Sequence, residues 1–238
     1  MFGWASSPRR FAIAAAVTIG FALLARILHA VTVGGAVAGG LACFLLFAGV
    51  GPAALATLAA LFLMTWVSTR FGYRRKVALG LAESKEGRSA WQVFANLMVA
   101  AVGAVLFSMT GNRIWIIAVA AALSEAATDT VASEIGQHMA SQARLITTWE
   151  RVPGGTDGGI TTAGSVAGLV AGIAIASVAW GGEILSRDQI WIPVVAGFAG
   201  MLFDSLLGAT LQKRGLISNQ TVNFLGTLAA ATLAYGLR

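Results

Sequence analysis

The chain is 238 residues long, 57% hydrophobic and 11% charged, with a mean hydropathy of +0.79. This excludes a soluble globular domain and predicts an integral membrane protein, because apolar runs near the roughly 20 residues of a spanning helix recur throughout. The net charge of +6 sits in short clusters between those runs, so it reads as a topology signal and no nucleic-acid partner is expected. The one cysteine, Cys43, allows no disulfide framework, and His29 and His138 give no metal-ligand spacing.

Abundant Ala, Leu, Val and Gly, with four prolines, favour helices over the alternating strands of a barrel. The fold class predicted is all-α, a polytopic transmembrane helical bundle of about seven to eight spanning helices. The candidate segments are 11–28, 31–49, 52–69, 93–110, 114–128, 163–180, 190–207 and 219–236. Residues 1–10 form a polar, basic lead that looks like a signal peptide, but no A-x-A-type site follows 11–28, so the lead is taken as retained. Gly49-Val50-Gly51-Pro52 predicts a tight hairpin between two helices. Gly35 with Gly39, and Gly164 with Gly168, have the spacing of close helix–helix approach. Residues 140–152 read as a short extended or amphipathic surface piece.

The loop 70–92 carries Arg70, Arg74, Arg75, Lys76, Lys85 and Arg88, six of the sixteen basic residues. Such clusters mark the cytoplasmic side and also suit lipid or substrate phosphates. If that loop is cytoplasmic, 129–162 and 208–218 are too, placing eleven basic residues inside and five outside. The whole of 1–238 reads as one membrane domain, with loops 70–92, 129–162 and 208–218 forming a site at that face.

Half of the ten acidic residues fall between 125 and 164: Glu125, Asp129, Glu134, Glu150 and Asp157. A carboxylate at bilayer depth costs roughly 2.5 to 3.5 kcal/mol and usually marks an ion, substrate or proton site. Glu125 and Asp129, at i and i+4, share a helix face and suit a shared cation. Glu134, nine residues from Glu125, falls about 180° round an unbroken helix. Either the helix breaks near residues 130–133, or Glu134 serves something other than that cation. The loop Pro153-Gly154-Gly155-Thr156-Asp157-Gly158-Gly159 follows, and small residues let backbone N–H groups approach phosphate oxygens. It lacks the Gly-Lys-Ser/Thr ending of a Walker A loop. Asp204, Ser205, Gln212, Lys213 and Arg214 lie at the same membrane level. Acids for a divalent cation beside a glycine loop for phosphate suggest nucleotide chemistry at the membrane surface.

Taken in order, Glu125-Ala-Ala-Thr-Asp129-Thr-Val-Ala-Ser133-Glu134-Ile-Gly136, Pro153 to Gly159, and Asp204-Ser-Leu-Leu-Gly208-Ala-Thr-Leu-Gln212 resemble the transmembrane-protein-19 and vitamin-E-pathway phytyl-phosphate kinase family. Lys76, the Glu-x-x-x-Gly-Arg stretch ending at Arg88, Asn96 and Asn223 extend the resemblance over most of the chain from about residue 30. The resemblance implies a multi-pass enzyme of a prokaryotic inner membrane, its site on the cytoplasmic side, that converts an isoprenoid monophosphate to the diphosphate. The donor implied is CTP or another nucleoside triphosphate, with Mg²⁺. The stretch from Asp204 to Lys213-Arg214 is also similar to the Asp-x-x-x-Ser…Lys-Arg signature of membrane CTP:phosphatidate cytidylyltransferases, with altered spacing because Ser205 directly follows the Asp.

On this resemblance Asp129 and Asp204 hold Mg²⁺, with Glu125 or Glu134 as further ligands. Gly154, Gly155, Thr156, Asp157, Gly158 and Gly159, with Ser133 and Asn96, bind the donor phosphates. Lys76, Arg88 and Lys213 neutralise the transferring phosphoryl group. The acceptor phosphate is already ionised, so no strong general base is needed. Membrane lipids are the expected surroundings, and self-association into a homo-oligomer remains open. Two alternatives stand beside the kinase: a CTP-dependent lipid cytidylyltransferase, and a transporter using Asp129 and the glycine-broken stretch as an ion site.

Overall fold

The computed structural model describes residues 8–138 and 143–238. The start of the basic lead and residues 140–142 of the expected surface piece lie outside them. Apolar runs separated by Gly, Pro and polar caps fold into helices close to the predicted segments: α1 (Pro8–Ile27), α2 (Val33–Gly49), α3 (Pro52–Arg70), α5 (Ala90–Thr110), α6 (Ile114–His138), α7 (Thr162–Gly181), α8 (Trp191–Leu207) and α9 (Asn219–Gly236). The basic loop adds a short helix, α4 (Tyr73–Ala78), that the hydropathy pattern does not announce. Among the described residues six helices are long and apolar enough to cross a membrane, and α2 is a shorter apolar helix. The protein is therefore an all-α polytopic bundle.

The arrangement centres on α6. The hydrophobic window of α6 is 89% buried, against 17–39% for the other candidate spans. It packs against α3, α5, α7, α8 and α9. The closest seam is with α7. On α7, Gly164, Gly168 and Gly172 recur every fourth residue and face Ser124, Thr128, Ala132 and Gly136 of α6. A Cβ at Gly168 would sit 2.7 Å from the Thr128 carbonyl oxygen, so the backbones meet without intervening side chains. The expected 114–128 segment is ten residues too short: α6 runs unbroken to His138, carrying the polar residues on a regular helix.

Helices that start at the polar end share one device. Thr32, Ser89, Thr161 and Ser218 each accept a backbone N–H of their helix's first turn, as N-caps of α2, α5, α7 and α9. The N-caps of α3 and α8, Gly51 and Ile190, make no such bond. The polar end thus gathers four capped helix N-termini, whose dipoles favour anions. There, loop 28–32 is tied to the basic loop by a Val31–Arg88 bridge, and Arg88 N–H donates to Ala30 O at 3.0 Å. Residues 143–161 form a small antiparallel hairpin, with β1 (Arg144–Leu145) on β2 (Gly159–Ile160). Of the extended or amphipathic piece expected over 140–152, Arg144–Leu145 is strand and Arg151 a bridge, while 146–148 turn. After α8 the chain widens into a π-helical turn, Gly208–Gln212.

Replacing Gly168 by Val should separate α6 from α7. The expected cost is about 1–3 kcal/mol, as for other overpacked contacts, read as a lower unfolding temperature in detergent.

Candidate functional site

Two cavities lie beside the last three turns of α6, which lines both. Asp129, Ala132, Ser133, Gly136 and Gln137 line a polar cavity of about 140 Å³, while Ala126 and Thr130 line a larger one of about 380 Å³. The two sets follow helical spacing, and neighbours 129 and 130, about 100° apart, line different cavities.

The polar cavity is closed by the loop Gly154–Gly159, by Thr161, Gly164 and Ser165 at the start of α7, by Asp204 and Ser205 of α8, by Gly208 and Gln212 of the π turn, and by Asn219 of α9. It brings together Asp129, Asp204, Ser133, Gly154, Gly155, Thr156, Asp157, Gly158 and Gly159. Two loop amides are used internally: Thr156 N–H donates to Pro153 O and Gly159 N–H to Thr156 O. The N–H groups of Gly154, Gly155, Asp157 and Gly158 have no partner among the described residues. Gly155 and Gly158 have φ of +84° and +75°, a conformation that favours glycine. A side chain at Gly158 would also collide with the Ala209 backbone. Asp157 is held at the rim by Gln212, whose Nε2 donates to Oδ1 at 2.9 Å. Partial burial pushes the Asp157 carboxyl up, while the charge of Lys213 draws it down. Lys213 itself is exposed and acts on the site only through this field.

The carboxylates define the cavity's charge. Asp204 Oδ2 is buried with no hydrogen-bond partner, and Glu125, Asp129 and Asp204 lie close enough for their charges to interact. Glu125 is deeper, 1% exposed, with both oxygens unpartnered against Gly200 and Gly226. An uncompensated buried carboxylate is costly, so this cluster calls for a cation or a proton. Asp129 with Asp204 suits Mg²⁺, which uses one or two carboxylates plus phosphate oxygens. Among the described residues no group of three or more acidic, His or Cys side chains converges into a ready-made metal cage.

Three expected residues sit elsewhere. Glu134, expected on the metal, accepts from Lys76 Nζ at 2.5 Å and from Thr69 Oγ1 at 2.9 Å, with Arg88 at 3.8 Å. Because α6 does not break, Glu134 lies about 180° round the helix from Glu125 and about 140° from Asp129, away from both. Lys76, expected on the phosphates, is fully buried, and its three donors go to Glu134, Ser68 O and Thr69 O. It anchors the basic loop to α6. Asn96 lies in the other cavity and donates to Gln92 O. Arg88 takes the junction: its guanidinium reaches Thr130 Oγ1 at 3.4 Å, borders the larger cavity, and its charge acts on Asp129 across the helix. Ser205 was expected at this level, whereas Thr161, Ser165 and Asn219 were not, although the Ser/Thr caps that begin α7 and α9 were a usable signal.

These features define a class: a polytopic helical membrane protein with an acidic, glycine-walled cavity at one end of the bundle. The chain belongs to the family described as integral membrane protein DUF92, whose model matches residues 16–231. It is 31% identical over 198 residues to the uncharacterized membrane protein sll0875 of Synechocystis, covering 81% of this chain and 77% of that one. It is 32% identical over 181 residues to the membrane protein MJ0933 of Methanocaldococcus jannaschii, covering 75% and 74%. Protein VTE6, chloroplastic, of Arabidopsis thaliana is 29% identical over 197 residues, covering 77% of this chain and 58% of VTE6. The family resemblance read from the motifs is thereby borne out. No solved structure matches the chain.

The Lys76–Glu134 pair makes a test of the anchoring role. Lys76→Met alone strands a buried carboxylate and should cost about 3–5 kcal/mol. The double variant with Glu134→Gln should recover a large part of that loss in a thermal-unfolding cycle.

Proposed function

We propose that the protein is a membrane prenyl-phosphate kinase, transferring a phosphoryl group from CTP or a related nucleotide to an isoprenoid monophosphate on the cytoplasmic face. The observation that carries this reading is the meeting, in one small cavity, of Asp129 and Asp204 with free loop amides at the N-terminus of α7. Amides and a helix N-terminus suit phosphate oxygens, and the two aspartates suit the cation that accompanies them. The family relationship to VTE6 and the kinase resemblance of the motifs support the same chemistry.

At about 140 Å³ the cavity takes phosphate groups and a cation, being smaller than the roughly 300 Å³ of a whole-ligand pocket. The nucleoside then lies outside, over the exposed rim of the 143–161 hairpin. Gly154, Gly155 and Gly158 donate backbone N–H groups to the donor phosphates. Asp129 and Asp204 would hold Mg²⁺, which when bound would offset charge on the phosphate oxygens. Arg88, bonded to Thr130 next to Asp129, meets the acceptor phosphate beside the polar cavity. That phosphate is a nucleophile without losing a proton, which accounts for the lack of a general base in the assignment. Lys76 and Glu134 contribute by fixing Arg88's loop.

Purified protein in detergent, given Mg²⁺, labelled CTP and prenyl monophosphates, should yield the diphosphate and CDP. Asp129→Asn and Asp204→Asn should each lower kcat/KM more than about a hundredfold, roughly 2.7 kcal/mol of transition-state stabilisation. Pyrophosphate with a CMP-linked lipid would replace the kinase by nucleotidyl transfer. Absence of nucleotide consumption over the panel would defeat both.

A further inference from the structure

We infer that the larger cavity is the tail pocket for one linear isoprenoid monophosphate, with the phosphate at Arg88 and the chain length limited by Leu58 and Leu61. The identity of the lipid rests on the kinase reading; the existence and place of the pocket do not. The cavity encloses about 380 Å³ between α1, α2, α3, α5 and α6. On α3 its lining runs from Arg70 down to Leu58, twelve residues or about 18 Å of helix. The walls are apolar: Leu58, Leu61, Val93 and Leu97 are buried, and Phe21 meets Phe62 edge-on at 5.2 Å. Two polar side chains within it turn their donors to their own helices, and Trp66 Nε1 donates to Leu28 O at 3.4 Å. Thr65 Oγ1 donates to Phe62 O at 3.0 Å and Asn96 Nδ2 to Gln92 O at 2.8 Å.

The mouth has the opposite character. Arg70, Lys85 and Arg88 surround it with Glu83 as the acid. Glu83 is already engaged, accepting from Gln92 Nε2 and Ser84 N–H at 3.0 Å each. Arg70 is also engaged, donating to Leu28 O and stacking on Trp66. Arg88 keeps donors to spare: a 3.4 Å bond to Thr130 and a 3.8 Å approach to Glu134 leave most of its five N–H groups open. A basic mouth over a deep apolar bore matches a single-chain lipid with an anionic head, and the volume does not admit a two-chain phospholipid. Thr130 and Asp129 are neighbours on α6, so a head group at Arg88 sits beside the polar cavity while its tail points away.

The test uses the full chain in phosphatidylcholine nanodiscs, without nucleotide, and a C15 prenyl monophosphate bearing a diazirine at the tail. Adducts should map to residues 58–66 and 93–97, and unlabelled prenyl monophosphate should compete while added two-chain phosphatidate should not. Gly39→Leu fills the bore from α2, where a Cβ would meet Val93 at an ordinary 3.5 Å. It should cut labelling about tenfold, the equivalent of about two buried methylenes. Leu58→Ala should shift preference toward a longer chain, and this variant decides the matter if Gly39→Leu does not fold. Adducts on α7 or α8, equal competition by phosphatidate, or unchanged chain preference in Leu58→Ala overturn the pocket. Mapped adducts without CTP turnover would sink the kinase and leave the pocket standing; turnover with adducts elsewhere would do the reverse.

Discussion

A helix enclosed on every side can carry charged residues only if each has a partner or an aqueous cavity, and α6 meets that constraint on two faces at once. One face places Asp129 and Ser133 in the polar cavity, and the other presents Glu134 to Lys76. In a medium of low dielectric the bond between Lys76 and Glu134 is far from a surface ion pair: removing either partner leaves a charge with nowhere to go. The basic loop, and with it Arg88, is therefore positioned by α6 and not by the membrane surface. The basic mouth of the larger cavity follows from this one attachment.

The glycines complete the constraint. On α7 they let the two backbones close on each other. On α8 and α9, Gly200 and Gly226 make room for Glu125 where a methyl group would collide with it. Small residues thus serve opposite ends, excluding space along one seam and providing it at another. The polar end adds four helix N-termini, so the electrostatic setting for phosphate is built from backbone as much as from side chains.

Much of this was legible in the chain. Seven of the eight apolar segments lie within about three residues of their observed bounds, because their ends are marked by Gly, Pro and Ser/Thr caps. The meeting of Asp129, Asp204 and the glycine loop could be anticipated, since helices alternating in direction bring every second connection to the same end. Other placements needed the three-dimensional packing. Lys76 looked like a phosphate ligand because a sequence shows charge and not its partner; Glu134 lies fifty-eight residues away. Segment 114–128 was cut short because hydropathy counts Asp129 and Glu134 against a helix, although both are accommodated on one. Asn96 and the larger cavity were out of reach, because a bore shared by five helices leaves no local pattern.

The π turn at Gly208–Gln212 has a consequence for how this protein can vary. Its bonds skip one residue more than an α-helix, as in Lys213 N–H to Gly208 O at 3.1 Å, and such turns tend to survive where function requires them. Losing a single residue there would restore a regular α-helix and turn everything after it by about 100°. Gln212 would leave Asp157, and the rim of the polar cavity would come apart. A more orderly helix would thus be purchased with a broken site, and length variation between relatives is expected to avoid these five residues while remaining free in the turns at the other end of the bundle.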